Sequence, residues 1–216
     1  SQPVKNAFSH AHSLFVEGGA DNVRYGIDAS YNQNKGVMKE SGRDRFGLGF
    51  SLIYRIKDKI TIKNYISYAH THAYNSPYGS FSQYAKLNPY ERIYNDNGEL
   101  IPKLSDGDTN PLYDALLPNR NFTKDQEFRE QLSVDWFICD GLRLMAIVKG
   151  ETSGEIYKSP FSAEFLKTTY NSESRVQEYL PIAERGYLSM TDGASFSYDG
   201  NVTLNYNTLV NEKHII

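Results

Sequence analysis

From position 23 to 34 the chain alternates strictly. Val23, Tyr25, Ile27, Ala29 and Tyr31 fall on one side of an extended segment, and Arg24, Gly26, Asp28, Ser30 and Asn32 on the other. Period two is the mark of a strand with one face out of water. Phe46, Leu48, Phe50, Leu52 and Tyr54 repeat it against Gly47, Gly49, Ser51 and Arg55, and Ile60, Ile62, Ile66 and Tyr68 follow a turn at 57–59. The second half resumes with Phe128, Leu132, Val134, Trp136 and Ile138 against Arg129, Gln131, Ser133 and Asp135. Asp140-Gly141 then predicts a hairpin turn into Leu142, Leu144, Ala146 and Val148. A strand over 9–17 with turn residues 18–22, another from near Ser195 through Val202, Leu204 and Tyr206, and a turn at 211–213 bring the expectation to seven strands and the start of an eighth.

The connections alternate in length. Those at 18–22, 57–59, 139–141 and 211–213 are tight, 35–43 is longer, and 71–126 and 151–193 are very long. In an up-and-down meander every second connection lies at the same end, so short links gather at one end and long ones at the other. Membrane β-barrels have that asymmetry, whereas a soluble sandwich more often uses shorter strands at even spacing. In the first long loop, 78–87 predicts a short helix that stops before Pro89, and Asn97-Gly98 a turn.

Composition sharpens this picture. There are 17 Tyr, 11 Phe and 1 Trp in 216 residues, and Tyr31 and Trp136 stand where either an interfacial aromatic girdle or a packed core would use them. The formal charge of −3 supplies no general attraction for nucleic acid. With Cys139 alone, neither an internal disulfide nor a CxxC pair exists. The longest apolar run, Leu144 to Val148, excludes a membrane helix but not a membrane strand. Ser1 opens directly in polar sequence, so an export signal is expected to have been removed or to lie outside this stretch.

The segments FSHAHSLFVEGGADNVRYGIDASYNQNKGVMKESGRDRFG, NSPYGSFSQYAKLNPYERIYNDNGEL and VTLNYNTLVNEKH resemble, in order and across nearly the whole chain, the barrel region of SusC/RagA-type TonB-dependent outer-membrane transporters of Bacteroidetes. The resemblance implies an all-β fold, a partial segment (1–216) of a 22-stranded barrel with long extracellular loops. It also implies import of oligosaccharides, or in some members peptides, without catalysis or cofactor. A SusD-like surface lipoprotein would act as lid, and the TonB complex would act through a plug and contact segment that this stretch does not show. Seven or eight strands cannot close such a barrel, so an excised piece with two open sheet edges is expected, prone to pair with itself. The main alternative is a soluble all-β carbohydrate-binding module.

For ligand or lid contact the aromatic residues of the long connections are the candidates: Tyr74, Tyr78, Phe81, Tyr84 and Tyr90 in the first, Tyr157 and Phe161 in the second. Packing among the loops themselves is the competing reading. His10 with His12 and His70 with His72 have the i, i+2 spacing that can place two imidazoles on one metal, yet no third ligand accompanies them and the expectation is no metal site. Asp106, Asp108, Asp114 and Asp125 offer calcium-type oxygens without the EF-hand pattern. No nucleophile elbow, phosphate loop or zinc-hydrolase spacing is present.

Overall fold

The computed structural model describes residues 3–105, 107, 109–161, 168–171, 176–179, 181–207, 209–210 and 214–215, with the backbone alone at 161, 168–171, 176–179, 182, 209–210 and 214–215. In chain order the elements are β1 (His10–Ala20), β2 (Val23–Lys35), β3 (Gly42–Ile56), β4 (Ile60–Tyr74), two short helices α1 (Phe81–Ala85) and α2 (Pro111–Asp114), then β5 (Phe122–Cys139) and β6 (Leu142–Phe161). They are followed by β7 (Thr168–Asn171), β8 (Val176–Tyr179), β9 (Tyr187–Tyr206), β10 (Leu209–Val210) and β11 (His214–Ile215). Seven strands form one antiparallel sheet in the order β1-β2-β3-β4-β5-β6-β9, and β7-β8 and β10-β11 are separate two-stranded pairs.

The expected meander is present, with corrected boundaries. β1 runs through Gly18 and Gly19 to Ala20, leaving only 21–22 as the turn. Gly18 stays in the strand by pairing with Tyr25, whose ring lies over it with its hydroxyl 2.7 Å from where a Cβ would stand. β4 reaches Tyr74, β5 starts at Phe122, β6 continues to Phe161 and β9 begins at Tyr187, so the connections are 75–121 and 162–186 rather than 71–126 and 151–193. Loss of apolar alternation had suggested that the strands stop. Backbone pairing carries on regardless, with Lys124 opposite Ile156 and Lys158 opposite Met190. Ile138 does not continue the Trp136 face: the register shifts between Phe137 and Cys139, a β-bulge that leaves Cys139 opposite Leu142. The expected turn at 211–213 lies outside the described residues.

The tight turns 21–22, 57–59 and 140–141 share one end of the sheet, and the connections 36–41, 75–121 and 162–186 share the other. At 57–59 the Lys59 amide donates to the Ile56 carbonyl at 3.0 Å while Lys57 and Asp58 have φ of 49° and 56°. That is a type I′ turn, whose twist matches the hairpin.

Register puts most of the apolar residues of all seven strands on one face, with Phe15, Ile53, Phe137 and Ile147 on the other. One row reads Leu14, Ala29, Leu48, Tyr68, Phe128, Thr152, Phe196, and another Ala20, Val23, Tyr54, Ile62, Val134, Ala146, Val202. The opposite face carries Asp28, Gly49, Ser67, Arg129, Glu151 and Ser197 in one row. Neither face is covered by any of the described residues. Leu14, Ile27, Leu48, Phe50, Leu132, Val148, Phe196 and Val202 are all exposed, and the buried apolar side chains among the described residues, Leu104, Leu112, Ala115 and Leu117, all belong to the 75–121 connection. The accessible surface is 15235 Å², against roughly 10,100 Å² for a compact monomer of this mass.

Candidate functional site

Two places gather side chains able to recognise something: the polar face of the sheet and the folded connection at its long-loop end. On the polar face an ion-pair ladder crosses from β3 to β6. Arg45 reaches the Glu127 carboxylate at 3.6 Å, Arg129 shares that carboxylate at 3.5 Å, and the Arg129 Nε lies 3.0 Å from Glu151. Beside it runs an open groove of about 360 Å³ lined by Tyr65, Arg129, Gln131, Lys149, Glu151 and Asp199. Exposed ion pairs of this kind add little stability. What they present is a wall of alternating donors and acceptors with one half-exposed aromatic ring, Tyr65, suited to hydroxyl-rich or amide-rich ligands. Arg143 and Asp135 form a second pair near the tight-turn end, with the Arg143 Nε 2.7 Å from the carboxylate and the guanidinium over the Phe137 ring at 4.9 Å.

The 75–121 connection folds around one side chain. Asn110 is fully buried. Its Nδ2 donates to the carbonyls of Ile93 at 3.2 Å and Ile101 at 2.8 Å, and its Oδ1 accepts the Leu112 amide at 3.1 Å. Asn110 thus caps α2, with Pro111 at the first helical position, and ties the loop segments of Ile93 and Ile101 to it. The base is closed by the Asn75 amide on the Asn121 carbonyl at 3.1 Å, and Arg120 pairs with Glu40 of the neighbouring connection at 2.9 Å. Burial drives the Asp114 carboxyl up to about 6, against the opposing hydrogen bond from Thr109, and its Oδ1 has no hydrogen-bond partner. The Tyr84 phenol is pushed up to about 12, mainly by burial and further by Tyr78 and Asp114.

The six candidate aromatics whose side chains are described do not converge. Tyr74 ends β4 on the apolar face and accepts a hydrogen bond from the Lys35 ammonium at 2.8 Å; Lys39 sits 5.8 Å over the Tyr78 ring. Tyr84 packs into the loop, its hydroxyl 3.4 Å from the Pro111 carbonyl. Phe81 and Tyr90 stand out into solvent, Tyr90 at 92% exposure. Tyr157 faces the polar side of β6 between Thr123 and Thr191. Phe161 ends β6, and its side chain lies outside the described residues, as do Asp106 and Asp108. Asp125 is part of β5 rather than the loop. His10 and His12 are adjacent, ring centroids 4.9 Å apart, but no group of three metal-ligating residues exists among the described residues. Sequence reasoning passed over Asn110 and the ladder. An Asn-Pro step hinted at the cap, while Arg129 meets Glu151 only once β5 and β6 are in register.

No protein-family model matches the chain. A protein of Formosa agariphila described as a TonB-dependent receptor is 23% identical over 219 residues, which cover 99% of this chain. The chain spans 20% of that receptor's length. The sheet is therefore distantly related, over its whole extent, to part of a TonB-dependent receptor.

Proposed function

We propose that this chain is a stretch of the wall of an outer-membrane, TonB-dependent nutrient importer of the SusC/RagA type, with oligosaccharide as the expected cargo. One observation carries the membrane reading: a seven-stranded sheet with a broad apolar face that none of the described residues covers. Soluble monomers rarely leave apolar patches beyond a few hundred Å² in water. The band also has the right height. From the row of Phe46 to that of Ile56 is ten residue steps on β3, about 34 Å along the strand, and a tilt near 40° leaves about 26 Å, close to the roughly 25 Å apolar belt of outer-membrane barrels. Tyr54, Trp136 and Tyr206 fringe its tight-turn border, Tyr31 and Phe46 the other, as girdle residues do.

In this reading lipid meets the Leu48 face and the lumen meets the Arg129 face. The long connections look outward, where Phe81 and Tyr90 are available to a SusD-like lipoprotein lid. TonB would act through parts of the protein outside this stretch, and further strands would pair the open edges of β1 and β9. The ladder and Tyr65 would touch passing cargo; a soluble carbohydrate-binding module leaves the bare apolar face without a role.

The test uses the full-length protein in outer-membrane vesicles, with Cys139 replaced by Ser because it is exposed. Single cysteines at Leu48 and Phe50 are expected to react with a lipid-soluble maleimide and not a water-soluble one, and cysteines at Ser51 and Ser67 the reverse. Reaction of all four with the water-soluble reagent overturns the reading. Uptake by cells lacking the protein then decides cargo: loss of oligosaccharide uptake with peptide uptake intact supports the assignment, and the converse overturns it.

A further inference from the structure

The apolar face carries its ionisable groups unevenly. Register places Lys35, Asp44, His10, His12, His70, His72, Lys124, Lys158 and Asp192 at its long-loop border, whereas below that border Glu130, hydrogen-bonded by Asn64 at 3.4 Å, is the one charged side chain among the described residues of the face. Lys35 is engaged by Tyr74 and Asp44. Lys124 and Lys158 have no acidic partner within ion-pair distance among the described residues; in the Lys124 row the carboxylates are Asp44, two strands away on β3, opposite His72 and within 3.9 Å of Lys35, and Asp192, two strands away on β9, while the Lys158 row holds none.

These two lysines are diagonal neighbours. Lys124 stands opposite Ile156, and Lys158 opposite Phe122, a separation of roughly 7–8 Å between backbones that flexible side chains readily close. Phe122 is the hub. The Lys124 ammonium lies 5.5 Å over its ring, His72 meets it edge-on at 5.8 Å, and His72 is itself opposite Lys124. Next to this group opens a cavity of about 390 Å³ lined by Glu40, His72, Tyr74, Arg120, Asn121 and Phe122. On the same border the buried Nδ1 atoms of His10 and His70 and one oxygen of Asp44 have no hydrogen-bond partner.

We propose that Lys124, Lys158 and His72 hold the phosphate of an outer-leaflet lipid headgroup, with its acyl chains laid down the apolar band. The proposal rests on the membrane reading above and adds a specific ligand to it. Two neighbouring ammonium groups repel each other until an anion lies between them, and the border of an apolar belt is where a lipid puts its phosphate. Basic residues at such a border each strengthen attraction to anionic lipid, and here they sit beside the surface the tails would wet. Commitment to a lipid rather than a free anion follows from that continuity: below Lys124 the β5 face continues through Gln126 to Phe128 and, past Glu130, to Leu132.

The test measures lipid retained by the full-length purified protein, by native mass spectrometry, after incubation with phosphorylated lipid A, with its dephosphorylated counterpart, and with inorganic phosphate as competitor. The wild type is expected to retain the phosphorylated lipid about tenfold over the dephosphorylated one. Lys124→Gln with Lys158→Gln is expected to bring the two within about twofold, while Lys57→Gln with Lys59→Gln at the tight-turn end leaves the preference intact. Equal retention of both lipids by the wild type overturns the proposal, as does an unchanged preference in the Lys124/Lys158 variant. Displacement by equimolar inorganic phosphate also overturns it, by reassigning the site to a free anion. Failure of the cysteine labelling at Leu48 and Phe50 would instead strike the membrane reading, so the two failures are distinguishable.

Discussion

Asn110→Ala should loosen the long connection without touching the sheet. Asn110 is the N-cap of α2, and loss of such a cap costs about 1 kcal/mol. Its two amide donations, to the carbonyls of Ile93 and Ile101, add about 1 kcal/mol each. The sum is about 3 kcal/mol, which corresponds to a rise of roughly a hundredfold in the open population of the loop. Because the side chain is fully buried, no water takes over its three bonds without rearrangement. The assay is amide hydrogen exchange on the full-length protein, comparing Ile101 and Leu112, whose amides donate to the Ile93 carbonyl and to Asn110, with sheet amides such as Phe50 and Leu132. Faster exchange confined to the loop fits the account. An unchanged loop would mean that Leu104, Ala115 and Leu117 hold it unaided; acceleration throughout β3 and β5 would mean the loop and sheet unfold together, and either result refutes the reasoning.

Other perturbations test separate parts of the structure. The Asp114 carboxyl has its folded pKa raised by burial, so the folded loop favours the proton. Its destabilisation is absent below about pH 4 and full above about 6. Proteolysis of the 75–121 connection should therefore slow as pH falls from 7.5 to 5, and Asp114→Asn should flatten that profile; a loop that becomes more labile on acidification contradicts the assignment. Gly141 has φ of 82°, and a side chain there would also collide with the Asn207 carbonyl. Gly141→Ala is expected to lower stability by about 1–2 kcal/mol, read as a lower urea midpoint, whereas Gly98→Ala, with nothing within 4 Å, should cost less despite its own φ of 81°.

Alternation alone determined which residues share a face. The sequence of Val23 to Tyr31 and of Phe46 to Tyr54 assigns every side chain to one side or the other, because successive residues of a strand point oppositely whatever the partner. Turn chemistry at 57–59 and at Asp140-Gly141 likewise follows from local backbone preference, which is why the antiparallel order and the segregation of short and long connections were legible. Where strands stop was not. β6 runs on through Glu151 and Glu155, and β9 begins well before Ser195, since backbone ladders extend wherever a neighbour supplies partners and do not need apolar side chains. The bulge at Ile138 was hidden for a related reason: a one-residue insertion changes pairing without changing composition.

The groupings that can recognise a ligand came only with tertiary structure. Arg45, Glu127, Arg129 and Glu151 are separated by up to 106 positions and become neighbours through the register of β3 to β6. Lys124, Lys158 and His72 gather around Phe122 in the same way. The aromatics chosen by loop membership scattered, because a loop's own core claims some, as with Tyr84, and leaves others, as with Tyr90, in solvent. Local sequence sets facing through the geometry of a single strand; proximity between strands depends on register, a property of pairs that no single segment encodes.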